Sequence, residues 1–455
     1  MSQKNKDAQI CIVGAGAAGL SSAYYLKKQG YRNITVLEKL GRVGGLCCSI
    51  SYDSKSFDLG ANYLTPAYKE VLKIAKEVGA ELYTEGRGKA FYPFESTTDN
   101  PKYSSILTAV TQGTTFLNFG LAAIRFIWER FKVNPLVSTP GFNGISQHPE
   151  LAQPFLDWLK QKNLVYLKTL FEIPLTAMGY GYLDDIPTIY ALKYMTLETF
   201  LTLITYAADI NIGWPKRFID GFQRLWERVS WDINVRLNIS IKSIKRGEKI
   251  SVKFTEQEQF LNEIVTREQI LEFDYLFLAC PLTLDVTSKF LDLSEKEKTL
   301  FQKIIINPFC LTTYLIPNLK LPARVVSIIP LKQEGDTWFI SQQFEDNDLF
   351  SFYSRTDRED KITKQDVLAQ IQADVKKLGG RINSDYYTYD KWPYFPHVSS
   401  QDMHDGFYEQ LEELQGKQNT YYVGGLMNFE LVETIAEYSK ALVEKNFSSV
   451  KTTGI

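Results

Sequence analysis

The beginning of the chain alternates short apolar runs with glycine-rich segments. Residues 9–13 and 34–37 are apolar and rich in β-branched side chains, so each run predicts a buried parallel strand. Between the two runs, apolar residues recur at the spacing of an α-helix until Gly30 ends the pattern. This succession of strand, turn, helix and strand predicts a βαβ unit.

The turn after the first strand consists of glycine and alanine. Such a turn lets the backbone approach a pyrophosphate, and the N–H groups of the following helix face the phosphate charge. Glu38 ends the second strand, where a carboxylate accepts hydrogen bonds from ribose hydroxyls and repels the 2′-phosphate of NADP. The pattern therefore predicts a nucleotide site, and its turn comprises Gly14, Ala15, Gly16, Ala17, Ala18 and Gly19.

A second glycine cluster follows Glu38 and indicates which nucleotide is bound. Arg42, Gly44 and Gly45 stand within seven residues of Glu38, and the segment FDLGAN follows at 57–62. With these motifs the sequence resembles the FAD-dependent amine oxidase superfamily, in which the double glycine carries the diphosphate and ribityl chain of FAD. The resemblance implies FAD as the cofactor, with contacts from Lys39, Arg42, Gly44, Gly45, Leu46, Ala61 and Asn62.

Strand patterns return later in the chain, after a long helical stretch. Residues 99–218 are dominated by helical patterns, and residues 300–395 alternate like the strands of a sheet. The predicted fold class is therefore α/β, with a Rossmann-type FAD-binding domain and an inserted substrate domain of mixed sheet plus helical cap. The FAD-binding segments are predicted at 7–98, 219–299 and 396–449.

Several implied FAD contacts lie in these later segments. The resemblance places the main chain of Ile241 against the adenine and Gly424 at the end of the last strand. The helix that follows is expected to aim its N-terminal dipole at flavin N1, with Val432 and Glu433 in its first turn. The superfamily usually has Gly-Glu at the last strand where this chain has Gly424 and Gly425, so a carboxylate beside the flavin is expected to be absent.

The second half of the chain narrows the resemblance. YFPHVSSQD at 394–402, the segment 406–429, EYSKALV at 437–443 and the central segment 177–195 resemble the polyenoic fatty acid isomerase group of the superfamily. The resemblance implies a redox-neutral reaction, in which a hydride leaves an unsaturated fatty acid for flavin N5 and returns to another carbon. The chemistry is thus assigned to flavin N5, and no catalytic side chain is named. Tyr394 and Phe429 occupy segments in which amine oxidases of the superfamily carry an aromatic cage. They are therefore candidates to line the site of a small apolar substrate, and packing in the core is the competing interpretation.

Other functions stay open at this point. Hydride abstraction serves desaturation as well as isomerisation, and an amine or amino-acid oxidase that reduces oxygen would carry the same FAD motifs. A flavin-binding protein without turnover is a third alternative. The family holds the substrate carboxylate with an arginine where this chain has Gly88, so the flanking Arg87 or Lys89 is the candidate, and a solvated surface charge is the competing interpretation.

Composition excludes several classes of function. A net charge of −2 gives no electrostatic case for binding nucleic acid. The five cysteines form neither a CxxC motif nor a Cys/His metal pattern, so we predict reduced thiols and no metal site. The polar N-terminal segment lacks the apolar run of a signal peptide, which predicts a cytoplasmic protein. The sequence does not indicate the oligomeric state.

One apolar segment complicates the prediction of a cytoplasmic protein. Residues 106–124 carry no charged side chain and are long enough to span a membrane. Because polar residues and glycines interrupt the segment, our preferred interpretation is a buried cap helix. A helix at a membrane surface or substrate entry is the second interpretation, and a membrane span is the third. Peripheral membrane contact through 104–128 is therefore one of the open interpretations.

Overall fold

The structure, a computed structural model, describes residues 4–97, 100–260, 263–331 and 333–448. The domain limits predicted at 98, 99 and 449 lie outside the described residues, whereas those at 218, 299 and 395 lie within them. The domain limits as a set stay predictions.

The strands differ in length, and the long ones lie outside the βαβ unit. In chain order they are β1 (Ile10–Val13), β2 (Ile34–Leu37), β3 (Ser49–Tyr52), β4 (Lys55–Asp58), β5 (Leu82–Thr84), β6 (Gly88–Phe91), β7 (Tyr103–Ser105), β8 (Lys216–Phe218), β9 (Asn234–Arg236), β10 (Ile239–Arg246), β11 (Ile250–Phe260), β12 (Glu263–Phe273), β13 (Tyr275–Leu278), β14 (Ile305–Leu315), β15 (Val325–Ile328), β16 (Thr337–Ser341), β17 (Leu349–Arg355), β18 (Thr388–His397) and β19 (Thr420–Tyr422).

Most of the short helices lie between β7 and β8. In chain order the α-helices are α1 (Ala17–Lys28), α2 (Lys69–Glu77), α3 (Ile106–Val110), α4 (Phe116–Lys132), α5 (Asn134–Val137), α6 (Pro149–Ala152), α7 (Phe155–Gln161), α8 (Lys168–Leu175), α9 (Thr188–Tyr194), α10 (Leu197–Ala207), α11 (Phe222–Ser230), α12 (Leu284–Thr287), α13 (Glu295–Phe301), α14 (Lys364–Lys377), α15 (Ser400–His404), α16 (Phe407–Glu412), α17 (Gly425–Asn428) and α18 (Val432–Phe447).

The first sheet is parallel and has β1 in its middle. Its strand order is β19-β13-β1-β2-β9, and each neighbouring pair is parallel. Ile10 pairs with Ile34 on one side and with Tyr275 on the other. All residues of β1 are buried, as a continuous apolar strand of a covered parallel sheet should be. The carboxyl ends of these strands meet at one edge, where a nucleotide binds in folds of this type.

The second sheet is mixed and is covered by α14. Its order is β18-β14-β17-β16-β15-β6-β7, with a parallel pair between β15 and β6. Val367 and Ile371 of α14 belong to the same buried cluster as Phe350 and Phe352 of β17. Two of its strands, β6 and β7, come from the first part of the chain, so this sheet contains more than the segment 300–395. A three-stranded antiparallel sheet, β10-β11-β12, is formed by the part of the chain between β9 and β13, which are two strands of the parallel sheet.

The helices between β7 and β8 form a cap with an aromatic core. The ring of Phe126 on α4 lies 4.5 Å from that of Phe200 and 5.0 Å from that of Phe171, measured between centroids. Trp158 is also buried in this cluster. The predicted fold class, a Rossmann-type α/β domain with a mixed-sheet domain and a helical cap, is confirmed.

The apolar segment 106–124 is not a single buried helix. α3 ends at Val110 and α4 begins at Phe116, and each helix has its own N-cap, the hydroxyls of Ser105 and Thr115. Only one face of α4 is buried, so the preferred interpretation holds for that face and is wrong for the outward one. In the ranges that the structure describes, no helix is long and apolar enough to cross a membrane.

Candidate functional site

The first glycine turn is closed by contacts that only glycine allows. Gly14 has a φ of +105°, and a Cβ there would lie 2.8 Å from the carbonyl oxygen of Ala279, the residue that directly follows β13. A Cβ on Gly19 would lie 1.9 Å from the carbonyl oxygen of Gly14. The missing side chains therefore let the chain turn sharply and let α1 pack directly on the turn.

The N-terminus of α1 keeps its N–H groups available. Gly16 is the N-cap, no side chain of the described residues caps it, and the first turn contains no acidic residue. The first N–H groups of a helix have no partner within the helix, and they carry the positive end of its dipole. This helix end can therefore bind an anion such as a pyrophosphate.

The second glycine turn lies against the first. The amide of Gly44 donates to the carbonyl oxygen of Ala15 at 2.8 Å, and a Cβ on Gly45 would lie 3.0 Å from the Cα of Gly16. Arg42 closes the second turn, because its Nη1 donates to the carbonyl oxygen of Gly45 at 3.0 Å. The two turns together form a surface of bare backbone, which we call the glycine cleft and define as residues 14–19 and 42–46.

Glu38 lies at the edge of the glycine cleft and is buried. Its Oε2 accepts from the amide of Ala15 at 2.7 Å, and its Oε1 accepts from the amide of Leu40 at 2.8 Å. A carboxylate has about four lone-pair positions, so both oxygens can accept further hydrogen bonds from ribose hydroxyls. Lys39, the next predicted residue, is exposed, and Ile241 lies at a bulge in the pairing of β10 with β11.

The predicted contacts after the second turn have partners within the protein. The amide of Ala61 donates to the carbonyl oxygen of Leu46 at 3.2 Å, and Nδ2 of Asn62 donates to the hydroxyl of Tyr353 at 2.7 Å. The ring of Tyr63 packs under the guanidinium of Arg217, with 4.3 Å between Cζ and the ring centroid. Arg217 forms a buried ion pair with Glu85, and no sequence motif predicts this pair.

The last strand leads to a second helix end that is open to a ligand. Gly424 has a φ of +126°, and a Cβ there would lie 4.0 Å from that of Ala18 in α1. α18 begins at Val432 and has no side-chain cap among the described residues. Glu433 in its first turn faces away, since its carboxylate accepts from the amides of Glu70 and Val71 at 2.8 and 2.9 Å.

The side chain of Glu433 thus has a structural role that the sequence prediction did not contain. It satisfies two amides at the start of α2, which would otherwise have no partner in the helix. Burial raises the pKa of this carboxyl to about 8, and the two amide hydrogen bonds oppose that rise. For Glu433, only the main chain is therefore available for the predicted flavin contact.

An aromatic cluster lies next to the start of α18. Tyr180, Tyr394, Phe395 and Phe429 form this aromatic cluster, and both predicted substrate residues, Tyr394 and Phe429, belong to it. The ring of Tyr180 stacks on that of Phe429 at 4.7 Å between centroids and lies 5.2 Å from that of Tyr394. Its hydroxyl donates to the carbonyl oxygen of Glu430 at 2.9 Å.

Glycines on both sides of Tyr180 let it enter the aromatic cluster. Gly179 and Gly181 have φ values of +86° and +146°, and a Cβ on Gly179 would lie 2.4 Å from the ring of Phe309. Nδ2 of Asn307 then fixes the segment by donating to the carbonyl oxygen of Tyr180 at 2.9 Å. Tyr180 was not among the predicted residues, although the GYGY motif is the signal that points to it.

The two cations predicted to bind a carboxylate are placed differently. Arg87 is on the exterior, where its Nε lies 3.1 Å from Oδ1 of Asp209. Lys89 lies in β6, half-buried between β15 and β7. A Cβ on Gly88 would lie 2.8 Å from the hydroxyl of Tyr206, so a longer side chain at this position would displace Tyr206. The structure brings neither cation into contact with the aromatic cluster.

These features fit FAD. The glycine cleft and the start of α1 suit the diphosphate, Glu38 suits the adenosine ribose, and the start of α18 beside the aromatic cluster suits the ring. When bound, FAD supplies an acceptor and donor of hydride. The contacts of individual residues with the cofactor stay predictions.

Comparison with known proteins identifies the family. The family model for flavin containing amine oxidoreductases matches residues 17–425. Polyenoic fatty acid isomerase from Ptilota filicina is 26% identical over 211 residues, which cover 43% of this chain and 42% of that protein, so the match spans less than half of its length. FAD-dependent oxidoreductase dpasF from Apiospora sacchari is 24% identical over 472 residues, which cover 95% of this chain and 91% of that protein.

Solved structures share the same fold. A CLA-producing fatty acid isomerase from P. acnes superposes with a TM-score of 0.81 at 24% identity, covering 98% of this chain and 100% of that one. At this identity the likeness concerns the fold. Because the family model spans most of the sequence, the chain belongs to the flavin containing amine oxidoreductase family and is an FAD-dependent enzyme.

Proposed function

We propose that this enzyme moves a double bond within an unsaturated fatty acid, by hydride transfer to and from FAD. The observation that carries the proposal is the aromatic cluster, an apolar surface that directly adjoins the start of α18. Two relatives named as fatty acid isomerases, from Ptilota filicina and P. acnes, support the substrate class. Desaturation of the same substrate is the nearest variant of this chemistry.

The aromatic cluster suits hydride transfer better than proton abstraction. Tyr180 and Phe429 are buried and Tyr394 is half-buried, so a hydrocarbon chain that contacted the exposed part of Tyr394 would meet apolar rings from which water is excluded. Burial raises the pKa of Tyr180 and of Tyr394 well above that of a free phenol, so both are neutral at physiological pH and are poor bases. Hydride transfer needs a substrate carbon held in place, and no base.

An amine oxidase that reduces oxygen is the second candidate. The observation in its favour is that amine oxidases are also among the relatives, such as putrescine oxidase from Kocuria rosea, which is 37% identical over 84 residues, or 18% of this chain. Both functions use the same cleft and the same cluster, so geometry does not separate them. The fate of the electrons separates the two functions, because isomerisation leaves FAD oxidised and an oxidase passes the electrons to oxygen.

The test is anaerobic mixing of the FAD-loaded enzyme with linoleic acid. We expect a conjugated diene, seen as new near-ultraviolet absorbance, without net bleaching of the flavin. Stearic acid, which has no double bond, is the matched control and should give neither signal. Bleaching by an amine, with peroxide release once air is admitted, would instead establish the oxidase.

The residue that binds the substrate carboxylate is identified in the same assay, by comparison of linoleic acid with its methyl ester. We propose that Lys89 or Arg87 binds the carboxylate, and we favour Lys89 because Arg87 is already paired with Asp209 in solvent. Lys89→Gln should then raise KM for the acid about tenfold and leave KM for the ester unchanged, as loss of one charged hydrogen bond does. Unchanged values for both Lys89→Gln and Arg87→Gln would show that another group holds the carboxylate.

The outward face of α4 leads us to propose that the enzyme takes its substrate from a lipid surface. Five apolar side chains recur along this face at intervals of four and three residues, and each is more than half exposed. Exposed Arg125 on the same helix provides a positive charge for anionic headgroups. This outward face comprises Leu117, Leu121, Ile124, Trp128 and Phe131.

Removal of this apolar face should abolish vesicle binding. We expect the wild-type enzyme to sediment with vesicles of phosphatidylcholine and phosphatidylglycerol, and the double variant Leu121→Glu with Trp128→Glu to stay in solution, because two charges cannot enter the acyl boundary. Ile270→Glu changes an equally exposed apolar residue on β12 and should bind like wild type. Equal binding of the double variant would refute the proposal, and loss of a dimer in ultracentrifugation would assign the face to a second copy.

A further inference from the structure

Glu430 lies in the short connection between α17 and α18, and its main chain is fixed on both sides. The hydroxyl of Tyr180 donates to its carbonyl oxygen at 2.9 Å, and the preceding Phe429 has a φ of +86°, which is unusual for a residue with a Cβ. Its carboxyl, in contrast, has no hydrogen-bond or ion-pair partner among residues 4–97, 100–260, 263–331 and 333–448.

The carboxyl of Glu430 packs against Gly425. A Cβ built on Gly425 would lie 1.8 Å from Oε2 of Glu430 and 2.6 Å from its Cδ. The carboxyl therefore occupies the space in which a side chain at position 425 would begin. The sequence has glycine at 425 where glutamate is usual in the superfamily, yet a carboxyl is present at this place, delivered by a residue five positions later.

The surroundings of Glu430 connect the glycine cleft with the aromatic cluster. Burial raises the pKa of Cys47, Tyr180 and Tyr394, and the charge of Glu430 adds to each rise, so all three lie close to it. Cys47 directly follows the second glycine turn, Tyr180 belongs to the cap, and Tyr394 lies on β18. All three are neutral at physiological pH, so the titratable groups that face Glu430 from these elements bring no positive charge.

We propose that the carboxyl of Glu430 contacts bound FAD, on its path from the diphosphate at the glycine cleft to the ring at the aromatic cluster. The carboxyl exchanges a hydrogen bond with the ribityl chain or the ring edge and thereby sets the affinity and the reduction potential of the flavin. This role depends on the cofactor and not on the identity of the substrate.

The protonation state of Glu430 gives the proposal a distinctive signature. Burial raises the pKa of this carboxyl to about 7. Above that pH it is ionised, and a negative charge beside the flavin opposes the uptake of electrons, so the midpoint potential falls. Below that pH the neutral acid exerts no such effect, and it resembles glutamine in charge and shape.

The experiment compares wild type with Glu430→Gln by redox titration of the bound flavin at several pH values. We expect a more positive midpoint potential in the variant above about pH 7 and no difference well below it. Proton uptake by the flavin itself is common to both proteins and cancels in the difference. Glu430→Ala should also raise the dissociation constant of FAD about tenfold, the effect of one lost hydrogen bond in a buried site.

Glu412→Gln is the matched control. Burial also raises the pKa of Glu412, but its carboxylate accepts from the hydroxyl of Tyr438 and it lies outside the glycine cleft and the aromatic cluster. Its potential should equal that of wild type at every pH. Equal potentials for Glu430→Gln and wild type at alkaline pH would overturn the proposal, even if Glu430→Ala failed to fold. A shifted potential in an enzyme that does not isomerise linoleic acid would uphold it and refute only the proposed function.

Discussion

Gly16→Val is expected to yield a folded protein that does not retain FAD. Gly16 caps α1 and faces Gly45, and a Cβ on it would lie 3.6 Å from the Cα of Gly45, an ordinary contact distance. The protein alone therefore tolerates a small side chain here. The branched side chain of valine, however, fills the glycine cleft and keeps the diphosphate from the N–H groups of α1. The visible absorbance of the purified protein measures flavin retention, and we expect it to be lost.

Gly19→Ala is the variant that separates loss of cofactor from loss of fold. A Cβ on Gly19 would lie 1.9 Å from the carbonyl oxygen of Gly14, so the helix must move away from the turn. We expect a clearly lower thermal unfolding temperature for Gly19→Ala than for Gly16→Val, each measured without FAD. A yellow Gly16→Val protein with wild-type flavin content would show that the diphosphate binds elsewhere.

Tyr180→Ala has the second largest expected effect. The side chain is almost fully buried and contacts the rings of Tyr394, Phe395 and Phe429, so its removal leaves a cavity in the aromatic cluster. Replacement of a buried aromatic residue by alanine costs about 3–5 kcal/mol of the free energy of unfolding. We expect a loss of this size in urea denaturation and, because the apolar site proposed for the substrate loses its central ring, no conjugated diene from linoleic acid.

Tyr180→Phe keeps the ring and removes only the hydrogen bond to the carbonyl oxygen of Glu430. The expected cost is about 1 kcal/mol, the usual contribution of one neutral hydrogen bond. Diene formation should persist, since the apolar surface is intact. If Tyr180→Ala formed the diene at the wild-type rate, the aromatic cluster would not be the substrate site.

The βαβ unit and the fold class could be predicted because their signals are local. The strands of the unit are short apolar runs, and the glycines stand where the turn and the close packing of α1 require them. Glu38 follows β2 directly, so its place at the edge of the glycine cleft is a consequence of chain order. Gly45, which approaches Gly16 in the second turn, could be predicted as well, because it belongs to a local motif and does not depend on a distant contact.

Features that depend on distant contacts could not be predicted. Glycine at 425 indicated a missing carboxylate, and only the folded chain shows that Glu430 fills the same space. The apolar pattern of α4 runs round the helix, so periodicity does not reveal which face is exposed. The carboxylate of Glu433 binds the start of α2, more than three hundred positions earlier in the chain, and no local pattern encodes that contact.

The parallel sheet is assembled from strands that lie far apart in the chain, which bears on when the cofactor can bind. β1 and α1 are synthesised well before β19 and α18, which are the last strand and the last helix of the described residues. Until β19 is synthesised and pairs with β13, a nascent chain therefore has an incomplete nucleotide pocket and an unpaired strand edge on β13. With FAD bound at the starts of both α1 and α18, as proposed, we expect its insertion to follow the synthesis of β19, and we expect apoprotein made when the vitamin precursor is scarce to be prone to aggregation and degradation.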